Sequence, residues 1–401
     1  MSEIHSGKSG HLSVLRIAWV AHNNVDRSAK GKEAEEFLLH LLPRDVFEIV
    51  DSHPDVILFM TGGSERNAIK LIGPDNPVLL LSIRAINSYP AATEVMAWAL
   101  NNDIFAILSD GLEALESGLL ERWRKTCSVW RSFSGKKAGL IGSVSEWLVA
   151  SGTPPERFGR LFDAALINIP WDSVPDYSGR EPDNILLSRF KDSDFRGLDD
   201  SARVLTTLRE VINDYELSSV AVECFSLVQE RGVTACLALA MLNAEGTVAA
   251  CEGDLASMAG MMLVSQAAGT MPWMANTTRI TKNSLLLTHC TISLNLVTDI
   301  RLDTHYETDC SVAVKGRISA SEITIFRFSE NLDRAFVAEG TITGIPDLKT
   351  ACRTQAEIEL SPAALETLRT HPLGNHLLLV PGRHAGLLSL ACRYKNISIL
   401  S

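Results

Sequence analysis

Two carboxylates stand close together in the segment VAACEGDLASMAG, residues 248–260. Glu252 and Asp254 follow a short apolar run that ends at Cys251, and they precede small residues typical of a packed helix. In open α/β proteins, ligands bind where strand ends meet helix starts. The simplest interpretation is structural: Asp254 caps the helix and Glu252 is solvated. The alternative is a site in which both carboxylates take part in chemistry.

Other motifs for catalysis or phosphate binding are incomplete. The loop TGGSE at 61–65 follows an apolar run and could hold an anion through backbone amides, but neither GxGxxG nor GxxxxGK[ST] occurs, so a tight turn is the simpler interpretation. The segment IGSVSEW lacks the second glycine of a GxSxG nucleophile turn. Cys290 directly follows His289, but neighbouring residues on a strand point to opposite faces, which argues against a nucleophile–base pair.

The hydrophobic pattern predicts the elements that position these residues. In the first third of the chain, apolar runs such as DVILFMTGG and PVLLLSI alternate with amphipathic segments. Continuous apolar strands separated by helices are typical of a parallel sheet covered on both faces. The rhythm restarts after the basic turn SGKKAG. We therefore predict two flavodoxin-like, doubly wound α/β domains, over residues 1–133 and 134–292, the second carrying the main site motif.

The pattern changes after about residue 293. Strand-length alternating runs separated by turn residues predict antiparallel β-structure that closes as a barrel or a sandwich. SPAALETLRTHP predicts a short helix capped by Ser361, and RHAGLLSLACRYKNI predicts a closing helix. Residues 293–401 are thus expected to form a β-rich C-terminal domain.

Composition excludes several classes of protein. The chain has 401 residues and a net charge of −11, so it shows no basic footprint for nucleic acid. No apolar run reaches the roughly 18 residues of a membrane span, and the polar stretch MSEIHSGKSGHLSV has no apolar region of a secretory signal. The eight cysteines form no CxxC pair and are expected to be reduced thiols. We expect a cytoplasmic protein with no nucleic-acid or membrane partner.

The run GTVAACEGDLASMAGMMLVSQAAGTMPWMANTTRI, followed by NSLLLTHCTISL, resembles the catalytic region of the L-fucose isomerase-like family, which is related to L-arabinose isomerase. The resemblance covers most of the chain and is strongest over 220–292. In this resemblance Glu252 corresponds to a metal-binding carboxylate of the family, and His289 and His376 correspond to two histidines of its site. Asn276 falls where the family places a second carboxylate. Members of this family interconvert an aldose and a ketose with a divalent metal, usually manganese.

The resemblance therefore implies a metal-dependent aldose–ketose isomerase that acts on a sugar. Mn²⁺ or another divalent ion would be held by Glu252, Asn276, His289 and His376. Glu252 would also be the candidate base, and Asp254 would support the catalytic site. A barrel-like third domain and a homo-oligomer, with the active cleft near a subunit boundary, are further implications of the resemblance.

Three residues are candidates for contacts with the sugar. Glu223 ends the run SSVAVE, whose strand is expected beside that of Glu252, so it could reach the same cleft or remain a surface acid. Trp273 and Arg279 flank Asn276 in the segment WMANTTR. An indole face suits a sugar ring and a guanidinium suits hydroxyl or acidic groups, although such residues more often serve packing and surface roles.

Asn276 is the main departure from the family pattern. An amide oxygen can coordinate a hard ion, but it brings no charge, so the ion would be held more weakly or lost. The alternative function is a non-catalytic carbohydrate-binding or regulatory relative that has lost the metal. A binding protein of the periplasmic type is disfavoured by the lack of an export signal and by the additional β domain.

Overall fold

The computed structural model describes residues 14–73 and 76–400. The N-terminal stretch considered for a secretory signal therefore lies almost entirely outside the described residues. The chain divides into two compact units, one reaching to residue 132 and including 393–396, the other formed by 133–392 and the residues from 397 onward. Among the described residues, we find no helix with the length and apolar character needed to span a bilayer.

The secondary-structure elements are numbered here in chain order. The strands are β1 Leu15–Val20, β2 Phe47–Ile49, β3 Val56–Phe59, β4 Val78–Ser82, β5 Ala106–Asp110, β6 Lys137–Ile141, β7 Ala165–Ile169, β8 Leu217–Val222, β9 Val248–Cys251, β10 Trp273–Ile280, β11 Ser284–His289, β12 Val297–Asp303, β13 Ala313–Ile318, β14 Glu322–Phe328, β15 Arg334–Gly344, β16 Thr354–Leu360, β17 His376–Pro381 and β18 Ser398–Leu400. The α-helices are α1 Arg27–Leu41, α2 Glu65–Ile69, α3 Ser88–Asn101, α4 Gly111–Glu116, α5 Leu119–Arg131, α6 Pro155–Phe162, α7 Asn184–Arg189, α8 Leu198–Asp214, α9 Cys224–Arg231, α10 Cys236–Ala244, α11 Leu255–Ala268, α12 Pro362–Thr370 and α13 Ala385–Tyr394. Short 3-10 helices occupy Arg44–Val46, Trp171–Ser173 and Tyr177–Gly179.

The first unit is built on a parallel five-stranded sheet with the order β2-β1-β3-β4-β5. This is the strand order of flavodoxin-like folds. Every residue of β3 and β4 is buried, which is what continuous apolar runs predict for a parallel sheet. The predicted α/β architecture of this part of the chain is confirmed.

The second unit begins with a parallel four-stranded sheet in the order β7-β6-β8-β9. The paired strands β8 and β9 end at Val222 and Cys251, so Glu223 and Glu252 come directly after neighbouring strands. The helix that follows β9 is buried along nearly its whole length, because it consists mainly of small and apolar residues. The sheet therefore places both glutamates at the carboxyl ends of its strands.

A closed antiparallel barrel follows. Its six strands have the order β14-β17-β10-β11-β16-β15, and the pairing of β14 with β15 closes the ring. The predicted barrel-like domain is thus confirmed, but antiparallel pairing begins with β10 at Trp273, whereas the sequence placed the change at 293. The reason is that β11 is buried on both faces, and such a run has the apolar pattern of a parallel strand.

The helices predicted near the C-terminus are present. The Ser361 side chain accepts the backbone N–H of Ala364 at 3.2 Å and caps α12, as the sequence predicted. The predicted closing helix is α13. All eight cysteines are free, and seven of them are buried, as expected of small core residues.

Candidate metal centre

Glu252 lies in a tight turn between β9 and α11. The Cys251 carbonyl accepts the backbone N–H of Asp254 at 3.1 Å, and the two residues between them have left-handed φ angles, 60° at Glu252 and 65° at Gly253. A non-glycine residue in this conformation is uncommon, and such strain clusters at functional sites. A Cβ at Gly253 would overlap the Ser143 carbonyl oxygen, so the turn requires glycine there. The turn holds Glu252 at the carboxyl edge of the parallel sheet.

Three potential metal ligands meet at this turn. They are Glu252, His289 at the end of β11 and His376 at the start of β17. The Oε1 atom of Glu252 lies 3.4 Å from Nε2 of His376 and 3.8 Å from Nε2 of His289. All three side chains are buried, and one ligand atom of each lies within 4.8 Å of the others. Three of the four residues that the resemblance implies as metal ligands therefore lie together.

The donor set fits a metal ion. The Nε2 atoms of His289 and His376 are buried and lack a hydrogen-bond partner within the described part of the chain. Buried polar atoms are normally satisfied, so two such nitrogens facing one carboxylate need an explanation. Imidazole nitrogens and carboxylate oxygens are both common ligands of divalent metal ions. This buried cluster could hold such an ion.

Asp254 orients His376. Its Oδ2 atom lies 2.8 Å from Nδ1 of His376, so the neutral ring carries its proton on Nδ1 and presents the lone pair of Nε2 to the cluster. The other carboxylate oxygen accepts the backbone N–H of Ser257 at 2.7 Å and caps α11. The structural interpretation of Asp254 as a helix cap is confirmed, but Glu252 is buried rather than solvated.

Arg327 on β14 anchors Asp254, and sequence reasoning missed it. Its side chain is fully buried. One terminal nitrogen donates to Asp254 Oδ2 at 3.0 Å and to Ser257 Oγ at 2.5 Å, and the other donates to Ser151 Oγ at 2.7 Å. Gly374 leaves room for the guanidinium, since a Cβ there would lie 2.5 Å from it. The available signal was a single arginine within the apolar run EITIFRF, because arginine is almost never fully buried unless it is paired.

Trp147 is a second residue that sequence reasoning missed. Its Nε1–H donates to Oε2 of Glu252 at 2.7 Å, yet the residue is 50% exposed. Its ring packs edge-on against Phe225 at 4.6 Å, and Phe225 packs edge-on against His305 at 5.7 Å. Trp147 therefore extends from the buried carboxylate to the protein surface.

The charges of the cluster are strongly coupled. Burial alone would raise the pKa of Glu252, but the two histidines outweigh it and lower that pKa to about 2. Burial would lower the pKa of His376, but Asp254 and Glu252 raise it to about 9. For His289, burial and the neighbouring His376 charge lower the pKa to about 3. At neutral pH the cluster without an ion contains a protonated His376 between ionised carboxylates, so a metal ion must displace that proton.

His289 is less well prepared for an ion than His376. Its Nδ1 accepts the backbone N–H of Thr291 at 3.2 Å, so the neutral ring carries its proton on Nε2, towards Glu252. For Nε2 to coordinate an ion, this proton must move to Nδ1 and the hydrogen bond from Thr291 must break. The two histidines therefore differ in the cost of binding a metal.

Asn276 lies in β10, opposite His376 and Thr288 in the neighbouring strands. Its amide oxygen accepts Nδ2–H of Asn375 at 2.6 Å, and its amide nitrogen lies 3.9 Å from Cys352 Sγ. The amide is thus engaged by these two neighbours. A role of Asn276 as the fourth ligand stays a prediction.

Glu223 is engaged as a helix cap. Its Oε1 atom accepts the backbone N–H of Ser226 at 3.1 Å and thereby caps α9, while Oε2 accepts Nε1–H of Trp171 at 2.9 Å. The residue is 8% exposed. Glu223 is therefore neither a surface acid nor an unengaged carboxylate, and its contact with substrate stays a prediction.

Trp273 occupies a packing position and Arg279 a surface position, as the structural interpretation of these two residues expected. Trp273 is buried, and its Nε1–H donates to the Thr291 carbonyl at 2.9 Å, so its ring offers no open face to a sugar. The Arg279 side chain is 54% exposed and lies 4.0 Å from Glu357 on β16. The exposed indole beside Glu252 is Trp147 rather than Trp273.

Comparison with known proteins does not assign this site. No protein-family model matches the chain, and no curated protein sequence matches it with significance. The functional interpretation therefore rests on the geometry of the cluster and on the resemblance of the motifs.

Proposed function

We propose that this protein is a divalent-metal-dependent aldose–ketose isomerase that acts on a sugar. The observation that carries the proposal is the buried cluster of Glu252, His289 and His376, with two histidine nitrogens that lack hydrogen-bond partners in the described residues. The resemblance of the surrounding motifs to fucose and arabinose isomerases supports the same reaction. It also favours Mn²⁺ as the ion, and the mixed oxygen and nitrogen donors are compatible with that choice.

The reaction moves a proton between C1 and C2 of the sugar. When bound, the ion supplies a Lewis acid for the two adjacent sugar oxygens. Glu252 stays ionised at neutral pH, because its pKa is lowered to about 2. Its Oε1 faces the histidines, and its Oε2 faces Trp147 at the more open side of the cluster. We assign to Glu252 the transfer of the proton between the two carbons.

The surrounding residues position this machinery. Asp254 and Arg327 hold the His376 ring in one orientation from the buried side. Trp147 fixes the second oxygen of Glu252 and leaves part of its indole exposed. A rigid aromatic surface beside a few convergent polar groups is the usual construction of a small-molecule site.

The test combines metal analysis with an assay of a panel of aldoses for ketose formation. We expect the purified protein to contain, or to take up, Mn²⁺ and to form a ketose from one of the aldoses. Glu252→Gln should abolish both properties in a folded protein. Glu223→Gln is the matched control for metal uptake, because Glu223 is an equally buried glutamate at the end of the neighbouring strand and lies outside the cluster. A folded native protein that takes up no metal and converts no aldose would overturn the proposal.

A second candidate is a non-catalytic carbohydrate-binding or regulatory protein that holds no metal. Two observations favour it. Asn276 is neutral and accepts a hydrogen bond from Asn375, and His289 accepts one from Thr291 on the nitrogen that should carry a proton in a metal complex. Asn276→Asp separates the two candidates. A sharp gain in Mn²⁺ affinity in this variant, with none in the native protein, would favour the second candidate.

A further inference from the structure

The first compact unit contains a pocket at the carboxyl ends of β1 and β3. In this sheet β2 pairs with one side of β1 and β3 pairs with the other side. The chain therefore reverses, at β1, the direction in which successive strands are added to the sheet. In open α/β sheets, ligands bind in the crevice at such a reversal. The pocket has a volume of about 260 Å³. Its polar and aromatic lining consists of Trp19, His22, Asn23, Arg27, Asn67 and Lys70.

The walls of this pocket are held by contacts between the segments that follow the two strands. The backbone N–H of His22 donates to Thr61 Oγ1 at 2.7 Å. Asn67 donates to Asn23 Oδ1 at 2.9 Å. Gly63, with a φ of 71°, allows the loops to approach, since a Cβ there would lie 2.6 Å from the His22 ring. The pocket is therefore preformed, which reduces the entropy lost on binding.

The charge of the lining favours an anion. Arg27 and Lys70 form no ion pair within the described ranges, and the Arg27 guanidinium lies 5.2 Å from the centre of the Trp19 ring. No aspartate or glutamate lines this pocket in the part of the chain that the structure describes, although the net charge of the chain is −11. A concave surface of one sign concentrates ligands of the opposite sign.

The side chains, rather than the TGGSE loop, provide this positive charge. The Gly63 N–H donates to Oε1 of Glu65 at 3.3 Å, so this amide is already engaged. The helix that follows, α2, has only five residues and is too short to present a useful terminus. The backbone amides of the TGGSE loop, which the sequence suggested as an anion site, are therefore not the groups that would bind an anion in this pocket.

We propose that the pocket binds the phosphoryl group of a small organic phosphate. Arg27 and Lys70 contact the phosphoryl oxygens, and the organic part lies beside the Trp19 indole. A guanidinium matches phosphate with two parallel hydrogen bonds, and a lysine adds a compact positive charge. This site belongs to the first compact unit and does not depend on the isomerase activity proposed for the second.

Calorimetric titration of the full chain with ribose 5-phosphate tests the proposal. EDTA is present, so that no bound metal contributes phosphate affinity. We expect ribose 5-phosphate to bind, inorganic phosphate to compete and ribose to give no heat. The double variant Arg27→Ala with Lys70→Ala should weaken binding by about tenfold or more.

A second double variant provides the matched control. Lys32→Ala with Arg66→Ala removes the same two charges from exposed positions on α1 and α2 that do not line the pocket. We expect this variant to bind ribose 5-phosphate as the native protein does. An equal loss of affinity for ribose 5-phosphate in both double variants would show that the ligand responds to the general charge of this surface and not to the pocket. That result would overturn the proposal. Absence of binding to the folded native protein at millimolar ligand would overturn it as well.

Discussion

Glu223 and Glu252 occupy corresponding places at the ends of neighbouring parallel strands, and each is 8% exposed. Each also accepts an indole N–H, from Trp171 and Trp147 respectively. Glu223 leads directly into α9 and caps it, whereas Glu252 is separated from α11 by two further residues, the second of which is the cap. Because another residue caps the helix, the Glu252 carboxylate can face two buried histidines. Two inserted residues thus distinguish a structural carboxylate from a candidate metal ligand.

The largest effect is expected when Asp254, which caps α11 in place of Glu252, is altered. Asp254→Asn removes the charge that compensates the buried Arg327, so the free energy of unfolding should fall by about 3–5 kcal/mol. Loss of the carboxylate that orients His376 should also lower Mn²⁺ affinity by about 10–100-fold. Urea denaturation and metal titration measure the two effects.

The control for that variant is Asp183→Asn. Asp183 also caps a helix, through Leu186 N–H at 2.8 Å, and also pairs with an arginine, but it contacts no histidine among the described residues. Its replacement should cost about 1 kcal/mol of stability and leave Mn²⁺ affinity unchanged. Equal losses of metal affinity in the two variants would contradict the orienting role of Asp254.

The next effect concerns the glycine that separates Glu252 from the cap. Gly253→Ala should lower the free energy of unfolding by about 3 kcal/mol, because the new Cβ meets both a left-handed φ and the Ser143 carbonyl. Gly269→Ala, at a φ of 72° with no neighbour within 4 Å in the described part of the chain, should cost only about 1 kcal/mol. Chemical denaturation of the pair checks the difference, and equal costs would show that the turn tolerates a side chain.

A pH series tests the charge state of the cluster. Because the pKa of His376 is raised to about 9, an ion must displace its proton below that pH. Apparent Mn²⁺ affinity should therefore rise with pH, by up to about tenfold per unit, and level off near pH 9. Titrations at pH 6, 7 and 8 measure the slope. An affinity that does not change across this range would contradict the assignment of His376 as a ligand.

The smallest effect is expected for the paired tryptophans. Trp147→Phe removes the N–H that fixes Oε2 of Glu252, and kcat/KM for the aldose should fall by about tenfold. Trp171→Phe removes the equivalent N–H from Glu223 and should lower kcat/KM less, because Glu223 lies outside the cluster. Because Trp147 is half exposed, its replacement should change stability little. If both variants kept full activity, the indole would have no part in positioning the carboxylate.

The sequence predicted most of the fold, because continuous apolar runs and helix-capping residues have local causes. It failed at the strand pair of β10 and β11, because β11 is buried on both faces and so has the apolar pattern of a parallel strand. Distinguishing the two arrangements requires knowledge of the pairing partner, which for β10 lies in β17.

The candidate site was predictable where a motif resembled one of known chemistry. Glu252, His289 and His376 were indicated by the resemblance of their motifs to the isomerase family, and not by residue type alone. Arg327 and Trp147 were missed, because they reach their partners across 73 and 105 residues of chain. Trp273 was preferred as the sugar-facing indole, although its N–H is buried against Thr291. Tertiary packing decides which tryptophan is exposed, and no local pattern records it.

The buried arginine has a consequence for how the protein matures. Arg327 belongs to the barrel, but its partners Ser151, Asp254 and Ser257 belong to the parallel-sheet portion, and His376 joins Asp254 across 122 residues. A nascent chain therefore cannot assemble the cluster until β17 has left the ribosome and the barrel has docked. Loading with metal is expected as a late event, after synthesis of the barrel, and a chain stalled before that point would bind no ion at this place.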